Sequence, residues 1–169
     1  LVPGLLHAQI VSSPVAAGVL KSVDSAQARA VPGVVDVLGA EDIPGANDAS
    51  PVFHDEPFLA PGPLHSFGQS ICVVIGETVE ASRLGASKVK LEIDELEPVL
   101  TVRDAIEKNS FQGDVARIGH GDVDAALTKA DIRFTGEIET GGQDHFYLES
   151  QIAQVTPLED GCYQVESST

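Results

Sequence analysis

The chain has 169 residues, 43% of them hydrophobic, and a formal net charge of −16 at pH 7. That length and composition suffice for one packed domain or one and a part. Because a surface of this charge repels phosphate backbones and anionic lipid headgroups, we expect neither nucleic acid nor membrane partners. The sequence has no apolar run of the roughly 20 residues that a membrane-spanning helix needs, and no recognisable leader. We therefore expect a soluble cytoplasmic protein, and the absence of an initiator Met indicates a beginning farther upstream.

Short apolar runs alternate with turn-forming residues along most of the chain, which is typical of a mixed α and β protein. In chain order, the pattern first predicts strands at 5–12 and 19–24, a helix at 25–30, and strands at 34–38 and 71–75. It then predicts a helix at 79–89, a strand at 90–96, helices at 101–107 and 123–129, and strands at 132–139, 147–156 and 163–168. The sequence therefore predicts two strand, helix, strand units followed by a region that is richer in β structure.

Residues that cap helices stand before each predicted helix. Asp24 or Ser25 is placed to cap the first helix, and Thr78, Thr101 and Asp122 precede the others.

The prolines and glycines of residues 39–68 indicate an extended loop, with room for one short strand near Phe58. Gly85 is either a weak point of its helix or a close packing contact.

The two cysteines, Cys72 and Cys162, lie far apart and have no partner at metal-ligand spacing, so we expect both to be buried free thiols. Iron–sulfur clusters need several cysteines at short intervals, and this chain has no such set. It also lacks a dinucleotide-binding glycine motif and a phosphate-binding loop. Any flavin or nicotinamide chemistry must therefore reside elsewhere.

The run Gly-Gly-Gln-Asp-His-Phe-Tyr-Leu-Glu-Ser at 141–150 combines a glycine entry with an alternating pattern. If the run is extended, Phe146 and Leu148 point to one face and seek a core. The other face carries the polar side chains Gln143, His145, Tyr147 and Glu149. Such a row beside two glycines suits a polar cofactor or substrate, whereas the alternative is an ordinary half-exposed antiparallel strand.

This run closely resembles a segment of the molybdenum-cofactor subunit of xanthine dehydrogenases and related aldehyde oxidases. Other landmarks of that family follow in the same order along nearly the whole chain: Val31-Pro-Gly-Val-Val-Asp-Val-Leu, Ala40-Glu-Asp-Ile-Pro-Gly, His54-Asp-Glu-Pro-Phe, Gly68-Gln-Ser and Glu92 to Leu96 with Pro98. Each piece alone is weak. Together with the run at 141–150 they are specific.

The resemblance implies an α+β fold: an α/β hammerhead domain at 1–121, followed at 122–169 by the β-rich start of a molybdopterin-binding domain. It implies that Gln143 hydrogen-bonds an oxygen ligand of the molybdenum centre, a role for which an uncharged amide is suited. Gly142 would let the cofactor approach the backbone. The family's catalytic base, a Glu, lies beyond residue 169, so no catalytic residue is expected within this chain.

The activity that the resemblance implies is hydroxylation of hypoxanthine or xanthine to urate, with electrons passing through iron–sulfur clusters and FAD to NAD. The cofactor of the complete subunit would be molybdenum-molybdopterin, while the clusters and FAD belong to other domains or subunits. The implied partners are the remainder of the molybdenum subunit, an iron–sulfur/FAD subunit and a purine or aldehyde substrate, in an oligomeric enzyme. The chain alone would be inactive. Aldehyde oxidation stays open because both branches share the motif.

Two readings from other classes also stay open. A free-standing hammerhead module would serve subunit association without catalysis. A small acidic hydrolase would use a carboxylate pair, Asp55 with Glu56 or Glu92 with Asp94, although adjacent pairs arise easily among 26 carboxylates. His145 with Glu149 has the spacing of helical metal ligands, but the segment reads as a strand, so we expect structural roles for both.

Overall fold

The computed structural model describes residues 2–111 and 113–168, and the chain divides into two compact units between Asp114 and Val115. The first unit contains β1 His7–Ser12, β2 Gly18–Asp24, α1 Ala26–Arg29, β3 Val34–Leu38, β4 Pro63–Leu64, β5 Ser70–Gly76, α2 Val79–Ala86, β6 Lys90–Glu95 and α3 Val102–Glu107. The second contains α4 Val123–Lys129, β7 Ala153–Pro157 and β8 Tyr163–Ser167. Short 3₁₀ turns follow β3 and β7.

Two antiparallel sheets form the first unit, with strand orders β1-β5-β3 and β4-β2-β6. Each of the two predicted strand, helix, strand units is present, but each crosses from one sheet to the other, because β2 and β3 belong to different sheets, as do β5 and β6. The central strand β5 supplies the buried side chains Ile71, Cys72 and Val74. This burial on both faces explains why its sequence is continuously apolar.

Helix α2 packs against β5 and β1. A Cβ atom added at Gly85 would lie 2.7 Å from Val34 Cγ2 and 2.9 Å from Val74 Cγ1, so only a hydrogen fits there. Of the two readings of Gly85, close packing is therefore correct. The helix ends at Ala86 rather than at Val89, because its last turn tightens into i to i−3 bonds, one of them from the Lys88 N–H to the Gly85 carbonyl.

The predicted helix caps are confirmed. The Thr78 hydroxyl accepts the Ala81 N–H at 3.1 Å, that of Thr101 accepts the Asp104 N–H at 3.1 Å, and an Asp122 oxygen accepts the Ala125 N–H at 2.9 Å. At α1 the cap comes from Asp24, whose carboxylate accepts the Ala26 N–H at 3.0 Å, and the Ser25 side chain caps nothing.

Both backbone groups of Val37, on the edge strand β3, are taken by charged side chains. The Asp36 carboxylate accepts the Val37 N–H at 2.7 Å, and Arg29 Nη2 donates to the Val37 carbonyl at 2.6 Å. Arg29 and Asp36 also form an ion pair with each other. The Val37 N–H, followed by Arg29, lowers the pKa of Asp36. The edge is therefore closed at its midpoint.

The long loop at 39–68 is ordered by side-chain hydrogen bonds. The Asn47 amide donates to the Leu59 carbonyl at 2.7 Å and accepts the Leu59 N–H at 3.1 Å, which closes a 12-residue excursion. The prediction of a short strand near Phe58 was misplaced: the strand is Pro63–Leu64, which pairs with β2. Phe58 is exposed instead.

The second unit has less strand than predicted. Residues 132–139 form no strand, and the strand predicted at 147–156 is confined to Ala153–Pro157, which pairs with β8. Alternation gives an extended segment a preferred face, but a strand also needs hydrogen-bonded neighbours. No described strand forms a ladder with 132–139, so the alternating pattern there does not become a strand.

We predict that Gly85→Ala destabilises the first unit. The added methyl overpacks against Val34 and Val74, which costs about 1–3 kcal/mol and outweighs the gain in helix propensity of about 1 kcal/mol. Urea unfolding followed by circular dichroism measures the change. Gly45→Ala is the control, because nothing lies within 4 Å of a Cβ there. A Gly85→Ala protein as stable as the parent would contradict the packing.

Candidate functional site

The run at 141–150 is an irregular, solvent-exposed segment with a bend at Leu148 and Glu149. The predicted strand is therefore absent from the structure. Phe146 is 98% and Leu148 is 93% exposed, so the prediction that they pack in a core is wrong for this chain. The physical reason is the same as for 132–139: no described strand or helix lies beside the run to pair with it or to cover its apolar side chains.

Gln143 and its two preceding glycines are open to other groups. Among the described residues, none forms a hydrogen bond with the Gln143 side chain, which is exposed. Nothing lies within 4 Å of a Cβ built at Gly141 or Gly142. The segment thus offers an uncommitted neutral amide beside a backbone that another group can approach closely. This donor chemistry fits hydrogen bonding to a polar cofactor.

Direct metal coordination has no support in this region. Within the part of the chain that the structure describes, no three His, Cys, Asp or Glu side chains are grouped so as to hold a metal ion. His145 and Glu149 are both exposed, on an irregular segment. A role for Gln143 beside a metal centre therefore requires that the metal be held by other parts of the protein.

The carboxylate pairs do not form an acid and base couple across a cleft. Asp55 and Glu56 lie side by side in an exposed loop. Glu92 and Asp94 lie on the same exposed face of β6, where Glu92 accepts a hydrogen bond from the Ser22 hydroxyl at 2.9 Å and Asp94 pairs with Lys21 at 2.8 Å. The Asp94 partner raises the pKa of Lys21. Glu92 and Asp94 therefore stabilise the surface of the sheet that contains β6.

The structure also contains a groove that the sequence did not reveal. It has a volume of about 650 Å³ and lies between β2 and the segment after β3, with Lys21, Arg29, Glu41 and Asn47 among its lining residues. Both cations are already paired with carboxylates, Lys21 with Asp94 and Arg29 with Asp36. No local motif could have indicated the groove, because its residues come from well separated segments.

The two cysteines differ in their surroundings. Cys72 is buried in β5, and burial, with a smaller contribution from Glu41, raises the pKa of its thiol to about 11. Cys162 is exposed at the start of β8, so the prediction of burial is confirmed for Cys72 and wrong for Cys162. Among the described residues, no strand or helix covers the Cys162 side chain beside this short hairpin.

His54 is the one histidine with a charged partner among the described residues, and it pairs with Asp48 inside the loop at 39–68. The Ser50 N–H, followed by His54, lowers the pKa of Asp48. The Ser50 N–H also donates to the Asp48 carboxylate at 2.9 Å, so the pair belongs to the hydrogen bonds that order this loop.

Within residues 2–111 and 113–168, no helix has the length and apolar character to span a bilayer.

Comparison with known proteins assigns both parts of the chain. The a/b hammerhead domain of aldehyde oxidase and xanthine dehydrogenase matches residues 1–97, and the molybdopterin cofactor-binding domain matches residues 104–169, which include Gln143. Xanthine dehydrogenase/oxidase of Gallus gallus is 37% identical over 97% of this chain and 12% of that protein. Aldehyde oxidase 2 of Macaca fascicularis is 38% identical over 90% of this chain and 11% of that protein.

A solved structure with the same fold is the aldehyde oxidoreductase from Desulfovibrio gigas. Its TM-score is 0.83 at 22% identity, and the match covers 100% of this chain and 21% of the other. The predicted fold class, a hammerhead domain followed by the start of a molybdopterin-binding domain, is thereby confirmed.

We predict that one thiol reacts rapidly in the native protein and two react after unfolding. Cys162 is exposed, whereas the Cys72 thiol is both inaccessible and protonated at pH 8 because its pKa is raised. Titration with a chromogenic disulfide reagent at pH 8, with and without urea, counts the thiols. Cys162→Ser should leave no rapidly reacting thiol, and rapid reaction of that variant would contradict the burial of Cys72.

Proposed function

Because the chain belongs to the aldehyde oxidase and xanthine dehydrogenase family of molybdenum hydroxylases, we propose that it is part of the molybdenum subunit of a purine-hydroxylating enzyme. It spans 12% and 11% of the lengths of the two relatives described above. The proposed activity is therefore that of a longer protein. We place the hammerhead domain at 1–121 and the start of the cofactor-binding domain at 122–169. The chain alone would be inactive.

The observation that carries the proposal is the uncommitted amide of Gln143. It lies in the segment that matches the molybdopterin cofactor-binding domain, directly after two glycines that leave the backbone open. Molybdenum-molybdopterin, when bound, supplies the oxidation chemistry. The Gln143 N–H would donate a directed hydrogen bond to the cofactor without adding charge, and the Gly142 backbone would allow the close approach.

Other parts of the enzyme would complete the reaction. Iron–sulfur clusters and FAD, on other domains or subunits, would carry electrons to NAD, since this chain has neither a cysteine set nor a dinucleotide motif. We further propose a cytoplasmic, oligomeric enzyme. Its first substrate candidates are hypoxanthine and xanthine. The sequence of the loop at 54–60 slightly favours a xanthine dehydrogenase over an aldehyde oxidase.

Aldehyde oxidation is the second candidate function. The identities to a xanthine dehydrogenase/oxidase and to an aldehyde oxidase are 37% and 38%, so similarity favours neither substrate. The residues that distinguish purines from aldehydes are expected outside this chain.

We predict that Gln143→Ala lowers the kcat of the complete, molybdenum-loaded enzyme by roughly 10- to 100-fold, the effect typical of losing a hydrogen bond to a group at a metal centre. Molybdenum X-ray absorption should change as well. Gln151→Ala is the matched control, because Gln151 is also an exposed amide on the same chain segment. Unchanged kcat and an unchanged absorption edge in the Gln143 variant would overturn the assignment.

We predict that the complete enzyme has a higher kcat/KM for xanthine than for an aromatic aldehyde such as benzaldehyde. Both substrates are assayed with the same preparation and electron acceptor, after metal analysis has established its molybdenum content. A preference for the aldehyde would select the second candidate function. Absence of molybdenum from the intact protein would remove both.

A further inference from the structure

The groove of about 650 Å³ in the first unit combines an apolar floor with a polar rim. Its lining comes from β2, α1, β3 with the loop that follows it, and β5, so it lies between the two sheets. The buried lining residues, which we call the floor, are Val37, Ala60, Ile71 and Cys72. A concave site of this size, with an apolar floor and a few polar groups, is typical of small-molecule binding.

Most polar groups on the rim are already engaged within the protein. All three nitrogens of the Arg29 guanidinium are in use: Nε donates to the Ser25 hydroxyl at 3.2 Å, and the other two make the bonds to β3 described above. Lys21 pairs with Asp94 at 2.8 Å. The Asn47 amide both donates and accepts within its loop. Of the lining residues that the structure describes, no cation is left for an anionic ligand.

Glu41 is the exception on the rim. Its carboxylate forms no hydrogen bond or ion pair with the described residues, whereas the neighbouring Asp42 carboxylate accepts the Gly39 N–H at 2.7 Å. The Glu41 side chain folds back, because its two oxygens lie 2.7 and 2.9 Å from a Cβ built at Gly39. Burial raises the pKa of the Cys72 thiol and the Glu41 charge adds to that rise, so the carboxylate lies near the floor.

We propose that this groove binds a small organic ammonium ion, whose nitrogen pairs with Glu41 and whose apolar body packs on the floor. Glu41 is exposed, so water solvates its carboxylate until the ligand replaces that water. The net charge of −16 raises the concentration of cations near the surface. A bare metal ion does not fit, because the described part of the chain has no group of three ligating side chains.

A second depression separates this site from a general attraction of cations to carboxylates. It has a volume of about 410 Å³ and contains Asp55 and Glu56, but residues 50–56 of one exposed loop form most of it. Its apolar side chains Val52 and Phe53 are 66% and 81% exposed, so it has no buried floor. Glu56 is therefore the matched control for Glu41: its loss changes the net charge equally.

NMR of the complete polypeptide with isotope-labelled alanine methyl groups tests the proposal. The probes are benzylamine, which is protonated near neutral pH, and benzyl alcohol, its uncharged analogue. Benzylamine should shift the methyl signals of Ala40 and Ala60, which line the groove and are identified from their Gly variants. We expect a Kd on the order of 1 mM for benzylamine and weaker binding of the alcohol.

Three variants locate the charge. Glu41→Gln should weaken benzylamine binding roughly three- to tenfold, the effect of losing an exposed charge-assisted hydrogen bond. Gly39→Ala keeps the net charge but displaces the Glu41 carboxylate, so it should weaken binding as well. The backbone of Gly39 is extended, with φ of −107°, and accepts Ala without strain. Glu56→Gln should leave the affinity unchanged.

The absence of benzylamine-dependent shifts at Ala40 and Ala60 would overturn the proposal. So would equal affinity for benzyl alcohol, because the charge would then have no role. Unchanged affinity in Glu41→Gln or Gly39→Ala, or equal weakening by Glu41→Gln and Glu56→Gln, would overturn it too. None of these measurements depends on molybdenum, so their failure is distinguishable from failure of the proposed function.

Discussion

The close approach of α2 to β5 is the constraint on which the first unit depends. Because Gly85 has no side chain, the helix lies against Val34 and Val74, and the central strand can then be buried on both faces. A larger gap between α2 and β5 would remove dispersion contacts that help to pack Ile71, Cys72 and Val74. The order β1-β5-β3 then follows, since the strand buried on both faces takes the central position.

The sequence predicted the elements of the first unit well because their signals are local. Thr78 and Thr101 mark helix starts through their own hydroxyl groups, and the apolar run of β5 reports its own burial. Sheet membership was not predictable in this way, because β2 pairs with β6 across about seventy residues. The short strand β4 was misplaced for the same reason, since only its pairing with β2 makes it a strand.

In the second unit the sequence pattern required neighbours that the described residues do not provide. Phe146 and Leu148 have the alternation of core residues, yet both are almost fully exposed. Gln143 was predicted as a cofactor contact from its resemblance to a known motif, and its role stays a prediction. The proposed site would be assembled from distant segments, and such a site leaves no local trace in any one of them.

The ion pair of Arg29 and Asp36 has a consequence for how the first unit meets other molecules. With both backbone groups of Val37 occupied, a foreign strand cannot add to β3 along its full length. Edge-to-edge aggregation through β3 is thereby hindered.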